Sequence, residues 1–297
     1  MSLALIVRRA TACMFLLLLF ACSSPPVVQA PNPTVPQVGK RPAKLGLALG
    51  GGAARGFAHV GVIQVLEENG FKPDLVVGTS AGSLVAAIYA SGKSGNQLQQ
   101  IAEGMEEAAF TDWTLPIFSR GMLRGDALAK YVNSLVGGKV IENMTIPLGV
   151  VATDLASGQG VLFQRGDTGT AVRASSSVPA VFQPVKIGAK EYVDGGLVSP
   201  VPVRYAKAMG ADIVIGVDIS SAPENNPSSD TLQILLQTFA IMGKSINAFE
   251  LKDAEVVIRP SLGGMKSSDF GSRKHAINAG RLAMQQALPK LRALLEK

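Results

Sequence analysis

Within Gly78-Thr79-Ser80-Ala81-Gly82 a serine stands between two glycines at the spacing Gly-x-Ser-x-Gly, after an apolar run and before a helix-like one. A strand that turns into a helix within so few residues crowds its own backbone, so its flanking positions must lack side chains. The serine is then pushed out at the strand's carboxyl end, over the positive end of the next helix dipole. Placed there, Ser80 could act as a nucleophile. The same pattern also suits a tight turn with a capping serine.

A second cluster, Gly50-Gly51-Gly52-Ala53-Ala54-Arg55-Gly56, again falls between a strand pattern and a helix pattern. Bare backbone N–H groups at such a junction form an anion cradle. A dinucleotide fingerprint fits poorly, because counting Gly-x-Gly-x-x-Gly from Gly50 puts Arg55 at the last position and Asp74 begins a strand instead of ending one. A phosphate-binding loop would need Gly-Lys-Ser/Thr, which the stretch lacks. An oxyanion hole explains both glycine motifs together, since Ser80 supplies the nucleophile that would generate the charge.

A nucleophile needs a base. Of the two histidines, His59 lies among apolar residues in the first helix pattern and reads as a packed or capping residue, and His275 follows Arg273-Lys274 and reads as exposed. Asp154, Asp194 and Asp218 each end an apolar run, where turn or helix capping is the ordinary role. Asp194 differs in being followed by Gly195 and Gly196, which let the backbone turn sharply and leave the carboxylate facing a cleft. A Ser80–Asp194–His275 triad would have the chain order of α/β-hydrolases. A non-catalytic protein that binds lipid or anions in the same cradle is the alternative from another class.

The elements that must hold these residues alternate. Residues 45–49, 74–77, 147–152, 161–164, 212–217 and 255–258 read as strands, and residues 56–68, 80–90, 96–108, 125–135, 203–209, 231–249 and 276–295 as helices. Near-continuous apolar strands between helices imply an α/β domain with a mostly parallel sheet covered on both faces. The stripe Leu232, Leu235, Leu236, Phe239, Met242, Ile246 and Phe249 reads as a core-facing helix. No repeat or second linker appears after Lys44, so residues 44–297 read as one domain.

Hydrophobic residues make up 47% of the 297 residues and charged ones 17%, against a usual ~25% charged, which excludes disorder and coiled coil as the main state. Part of the apolarity sits in Ala10–Ala21 behind Arg8 and Arg9, a run too short to span a bilayer but suited to a signal peptide over residues 1–21. Leu19-Phe20-Ala21-Cys22 resembles a bacterial lipoprotein box, which implies a lipidated Cys22. An ordinary cleavage after Ala30 or an uncleaved anchor are the competing readings. Residues 22–43, with Pro25, Pro26, Pro31, Pro33, Pro36 and Pro42, read as a semi-extended tether. Without residues 1–21 the formal charge falls from +6 to +4 and Cys22 is the only cysteine, which excludes a disulfide framework, a thiolate metal site and a cysteine nucleophile. Export argues against a nucleic-acid partner, and Ser23 after Cys22 points to the inner leaflet of an outer membrane, facing the periplasm.

The glycine loop with Arg55, the Gly78–Gly82 elbow, Ala174-Ser175-Ser176-Ser177-Val178-Pro179 and Asp194-Gly195-Gly196, in this order, resemble the patatin-like phospholipases, in particular the bacterial branch related to neuropathy target esterase. The resemblance covers residues 44–219 and, more loosely, the remainder. It implies a three-layer α/β/α fold and a Ser–Asp dyad, with Ser80 as nucleophile and Asp194 as base. Oxyanion donors would come from Gly51, Gly52 and Ala53, with Arg55 beside them, and Ala53 departs from the glycine common at its position. The implied substrates are acyl esters of phospholipids or lysophospholipids at a membrane, cleaved with no cofactor and no metal.

Overall fold

The computed structural model describes residues 41–106, 112, 120–223 and 229–296. The expected export signal, Cys22 and the tether as far as residue 40 lie outside the described residues. From Pro42 the chain is one unit. In chain order it builds β1 (Leu45–Leu49), α1 (Phe57–Glu68), β2 (Leu75–Thr79), α2 (Ala81–Ala90), α3 (Gly95–Glu103), β3 (Gly121–Leu123) and α4 (Asp126–Leu135). There follow β4 (Leu148–Asp154), β5 (Gly160–Phe163), α5 (Thr168–Ser175), β6 (Ala180–Phe182), β7 (Val185–Ile187) and β8 (Lys190–Asp194). The last elements are α6 (Val203–Ala208), β9 (Ile213–Val217), α7 (Thr231–Glu250), β10 (Val256–Ile258) and α8 (Arg273–Leu295).

Eight strands form the main sheet, in the order β10-β9-β1-β2-β4-β8-β7 with β5 paired to β4, and β3 pairs with β6 apart from it. The run β10-β9-β1-β2-β4 is parallel throughout, while β5 and β8 join β4 antiparallel. The sheet is thus mixed and mostly parallel, as the alternation of strands and helices leads one to expect. The chain moves outward from β1 through β2 to β4 and later returns to place β9 on the other side of β1. Open α/β sheets bind ligands at the carboxyl ends of the strands where the winding reverses, and the glycine loop leaves β1 at that point.

The period of two along each strand separates two cores. Leu45, Leu47, Leu49, Val76, Leu148, Val150, Ile213, Ile215 and Val217 pack on one face, together with residues of α1, α2, α3, α4 and α8. Ala48, Leu75, Val77, Val151 and Val214 face the other way, against Val203 and Ala206 of α6 and Leu251. Both faces are covered, the second by a much thinner layer. Sequence patterning missed α5, β3, β6, β7 and β8. It also misplaced α7, whose only buried residues are Gly243, Asn247 and Glu250. The stripe read as core-facing leaves Leu236, Met242 and Phe249 exposed.

Candidate active site

The serine elbow is tight. A Cβ on Gly78 would stand 2.4 Å from the Gly82 carbonyl oxygen, and one on Gly82 would stand 2.1 Å from that of Leu49. Neither position has room for a side chain. Ser80 itself has φ +53°, the left-handed region that L-residues with a Cβ avoid, at a cost of order 1–3 kcal/mol. Two hydrogen bonds brace it: the Ser80 N–H donates to Ser175 Oγ at 2.8 Å, and Ser83 Oγ donates to the Ser80 carbonyl at 2.6 Å.

Asp194 reaches the serine through strand register. One edge of β4 pairs first with β2, Thr79 opposite Val151, and then with β8, Asp194 opposite Ala152. The other edge carries β5, which pairs with Val150 to Thr153. The carboxyl ends of β2 and β8 therefore meet on neighbouring β4 positions, and Ser80 and Asp194 emerge side by side. Asp194 is 6% exposed. Its Oδ1 accepts the Gly196 N–H at 2.6 Å, while Oδ2 is buried with no partner in full hydrogen-bond geometry. Burial pushes the carboxyl up to about 6, against the opposing pull of the Ser80 hydroxyl and the Gly196 N–H. Gly195 fits under the same turn, where a Cβ would lie 2.2 Å from the Val151 carbonyl oxygen.

The glycine loop divides its donors. The Gly50 N–H goes to Val217 O, and the Gly51 N–H to Pro200 O at 2.9 Å. That commitment removes Gly51 from the expected set of free donors; its role is to pack bare backbone against Ser80, whose Cβ would be 3.1 Å from a Cβ added there. The N–H groups of Gly52 and Ala53 donate to no described residue. Ala53 has φ +49°, so the alanine sits where glycine would be unstrained. Arg55 is committed elsewhere than Ser80, donating to Ser220 O at 2.9 Å and Met265 O at 3.5 Å near Asp218. It braces the loop from outside. His59 is fully buried, Nε2 lies 2.8 Å from Gly50 O, and burial holds its pKa down to about 4, so the neutral ring donates that bond.

The remaining candidates stay apart. His275 is exposed at the start of α8, whereas Asp194 is buried, and among the described residues no hydrogen bond joins His275 to Ser80 or Asp194, so the geometry does not assemble a triad. Asp154 Oδ1 accepts the N–H groups of Ala156 and Ser157, and Oδ2 accepts Lys190 Nζ at 2.8 Å. The Lys190 contact leads the interactions that hold Asp154 down to about 2, which leaves it a turn ligand. Asp218 is occupied by Ser220, Arg259 and Asn247. Among the described residues, no three His, Cys, Asp or Glu side chains converge as metal ligands.

Ser80 and Ala53 open on a cavity of about 370 Å³. Its walls are Phe57 and Val60 from α1, Leu84 and Ile88 from α2, Ile101 from α3, Leu128 from α4, Phe182 from β6, Leu236 from α7 and Phe270. A nucleophilic serine at the end of an apolar chamber can receive an ester whose acyl part is a hydrocarbon chain.

A family model for patatin-like phospholipases matches residues 47–207. The chain belongs to the patatin-like phospholipase family. An uncharacterized NTE family protein of Mycobacterium tuberculosis is 35% identical over 188 residues, 63% of this chain and 52% of that protein. Patatin-like phospholipase domain-containing protein 6 of Mus musculus is 29% identical over 273 residues, 80% of this chain and 20% of that protein. The chain thus spans about half or less of the length of these relatives. Among solved structures, VipD from Legionella pneumophila shares the fold, with a TM-score of 0.59 at 16% identity over 84% of this chain and 67% of that one.

Two features of this patatin-like site escaped sequence reasoning. Ser175 joins the elbow to β4 by donating from Oγ to Val151 O at 2.6 Å while accepting the Ser80 N–H. Its only signal was the Ala174–Pro179 run, which does not say which serine is buried. The second is a chain of contacts behind the elbow: Thr79 Oγ1 donates to Ser199 O at 2.9 Å, and Ser199 Oγ donates to Glu250 Oε1 at 2.5 Å. Its members lie far apart in the sequence, and no local pattern joins them.

Proposed function

We propose that the protein is a serine esterase that hydrolyses acyl esters of phospholipids or lysophospholipids through a Ser80–Asp194 dyad. The observation that carries this reading is the strained Ser80, which faces an apolar cavity with the buried carboxyl of Asp194 at its side. Family membership supports lipid ester chemistry of this general kind.

In this reading Ser80 Oγ attacks the ester carbonyl carbon and its proton passes to Asp194. The carbonyl oxygen becomes an oxyanion that the free N–H groups of Gly52 and Ala53 stabilise. Collapse expels the lipid alcohol, which takes the proton from Asp194, and leaves the acyl group on Ser80. Water then attacks the acyl-enzyme, losing its proton to Asp194, and Ser80 departs with that proton as the fatty acid is released. A free aspartate near ~3.9 is a poor base for an alcohol. Burial that lifts Asp194 to about 6 brings it closer to the task.

On the same reading the protein is exported, lipidated at Cys22 and held at the periplasmic side of a membrane, which would raise the local concentration of a membrane-borne substrate. The test uses phospholipids and lysophospholipids with wild type, Ser80→Ala and Asp194→Ala, together with labelling by a serine-directed fluorophosphonate. Loss of turnover in both variants and a label on Ser80 are expected. Full activity in Ser80→Ala would overturn the assignment, and full activity in Asp194→Ala would remove the dyad.

A further inference from the structure

Three separate pieces of the candidate site meet at Ser199 and Pro200. The hydroxyl of Thr79, one residue before Ser80, donates to Ser199 O at 2.9 Å. The Ser199 N–H donates at 2.9 Å to the carbonyl of Gly195, one residue after Asp194. Pro200 O accepts the Gly51 N–H, also at 2.9 Å. Two consecutive residues thus hold the strand end that carries Ser80, the turn that carries Asp194 and the glycine loop that offers Gly52 and Ala53. A shift of this segment moves all three against one another.

The segment is itself held by the carboxyl end of α7. Ser199 Oγ donates to Glu250 Oε1 at 2.5 Å, and the same oxygen accepts the Arg204 N–H at 3.3 Å. Arg204 Nη2 donates to Val198 O at 2.8 Å, just ahead of Ser199. The buried residues of α7 are Gly243, Asn247 and Glu250, spaced four and three apart and so on one face. A Cβ at Gly243 would stand 3.5 Å from Pro200 Cγ, which places this face along the same segment. Glu250 is 7% exposed, and its Oε2 is buried and takes no hydrogen bond from any described residue. Burial lifts its carboxyl above the usual range, against the pull of Ser199 and Arg204. A carboxyl is costly to bury, and a half-satisfied one more so, so hydrocarbon would fill the space at less cost. Hydrocarbon, however, cannot accept from the Ser199 hydroxyl and the Arg204 backbone at once.

We infer that Glu250 is a positioning residue for the reaction: through Ser199 it fixes the Ser199–Pro200 segment, which sets Ser80, Asp194 and the glycine-loop N–H groups relative to one another. Its contacts stop at Ser199 and Arg204, one step removed from the reacting groups. This role rests on the Ser80–Asp194 esterase reading above and adds to it the element that keeps its parts in register.

The experiment measures kcat and KM on p-nitrophenyl butyrate for the full chain and for Glu250→Ala, Glu250→Gln, Ser199→Ala and the Ser199→Ala/Glu250→Ala double variant. Titration with a fluorophosphonate counts competent molecules, so that kcat is expressed per reactive Ser80 and a mere loss of folded protein leaves it unmoved. Misplaced reacting groups cost rate more than affinity. Glu250→Ala and Ser199→Ala should each lose about 10- to 100-fold in kcat with KM within about twofold. The double variant should lose no more than about twofold beyond the worse single one, because both break one contact. Glu250→Gln, which keeps an oxygen for the Ser199 hydroxyl, should return to within about fivefold of wild type.

A wild-type kcat in Glu250→Ala overturns the inference. Losses that multiply in the double variant overturn it too, since Glu250 would then act by a route other than Ser199. Glutamine no better than alanine, or a change confined to KM, has the same consequence. Where Glu250→Ala does not fold, Ser199→Ala decides: it removes one hydroxyl and keeps both Ser199 backbone bonds, and an unchanged kcat there sinks the role. Wild type that neither cleaves ester nor takes the fluorophosphonate refutes the esterase reading and this role with it, whereas active wild type with indifferent variants refutes this role alone.

Discussion

Ser175 Oγ accepts the backbone N–H of Ser80 at 2.8 Å and donates its own hydrogen bond to the Val151 carbonyl at 2.6 Å. The strained backbone of Ser80, the proposed nucleophile, is thereby pinned to the strand that also positions Asp194. Ser175→Ala leaves the Ser80 N–H and the Val151 carbonyl each short of a partner, a loss of about 1–3 kcal/mol. The elbow can then relax from φ +53°, so kcat should fall roughly 10- to 100-fold with KM nearly constant, because the cavity is untouched. Steady-state kinetics and the rate of fluorophosphonate labelling at Ser80 check this. A change in KM alone would mean that Ser175 shapes substrate binding instead.

Local chemistry explains which parts of this arrangement a reader of the sequence can find. Gly78 and Gly82 announce the elbow because backbone crowding there tolerates nothing larger, and β1, β2, β4 and β9 announce themselves as apolar runs because both faces are buried. The pairing of β8 with the end of β4 is invisible, since Lys190–Asp194 is short and half polar, and only register brings Asp194 to Ser80. Arg55 looks like an anion ligand beside a glycine loop, yet carbonyls from distant segments claim it. The stripe on α7 has the 3.6-residue period of a core helix, and period alone does not reveal whether protein or something else covers it.

As the proposed base, Asp194 sets activity against stability. Its folded pKa of about 6 stands above the 3.8 of the free side chain. The protonated form is the one the fold favours, so its stabilising contribution is complete below about pH 4 and is lost as pH rises through 6. Two pKa units correspond to about 3 kcal/mol. Asp194→Asn should therefore be more stable than wild type by up to about 3 kcal/mol at pH 8 and about equal to it at pH 4, while turning over no substrate. Urea unfolding at the two pH values measures it. With Asp194 as the proposed base, the wild-type kcat/KM profile should rise along an acid limb centred near 6, because its carboxyl must be ionised to take a proton.

Ala53 carries backbone strain in the loop that offers the free N–H groups. At φ +49° a Cβ costs roughly 1–2 kcal/mol, whereas glycine in its place costs about 0.5–1 kcal/mol through the unfolded chain. Ala53→Gly should thus stabilise the protein by about 0.5 kcal/mol or more, and Ala53→Val, with its branched Cβ, should destabilise it by at least 1 kcal/mol. Thermal melts of both variants decide the matter. A destabilised glycine variant would show that the loop keeps its conformation for some reason other than local backbone preference.

His59 should set the acid limit of the fold. Its ring is fully buried, bonds Gly50 O through Nε2 and leaves Nδ1 without a partner, so a second proton has nowhere to go. The folded pKa of about 4 lies below the ordinary 6.5, which means that the neutral ring contributes stability above about pH 6.5 and that this contribution drains away as pH falls through 4. The full effect is about 3 kcal/mol. His59→Gln keeps an N–H donor for Gly50 O but has nothing to titrate in this range. It should cost roughly 1–2 kcal/mol at pH 7 through imperfect packing, yet lose far less than wild type between pH 6.5 and 4. Urea midpoints across that range give the comparison. Parallel pH dependence in the two proteins would transfer the acid sensitivity to other groups and leave His59 only its role of holding the Gly50 carbonyl under the glycine loop.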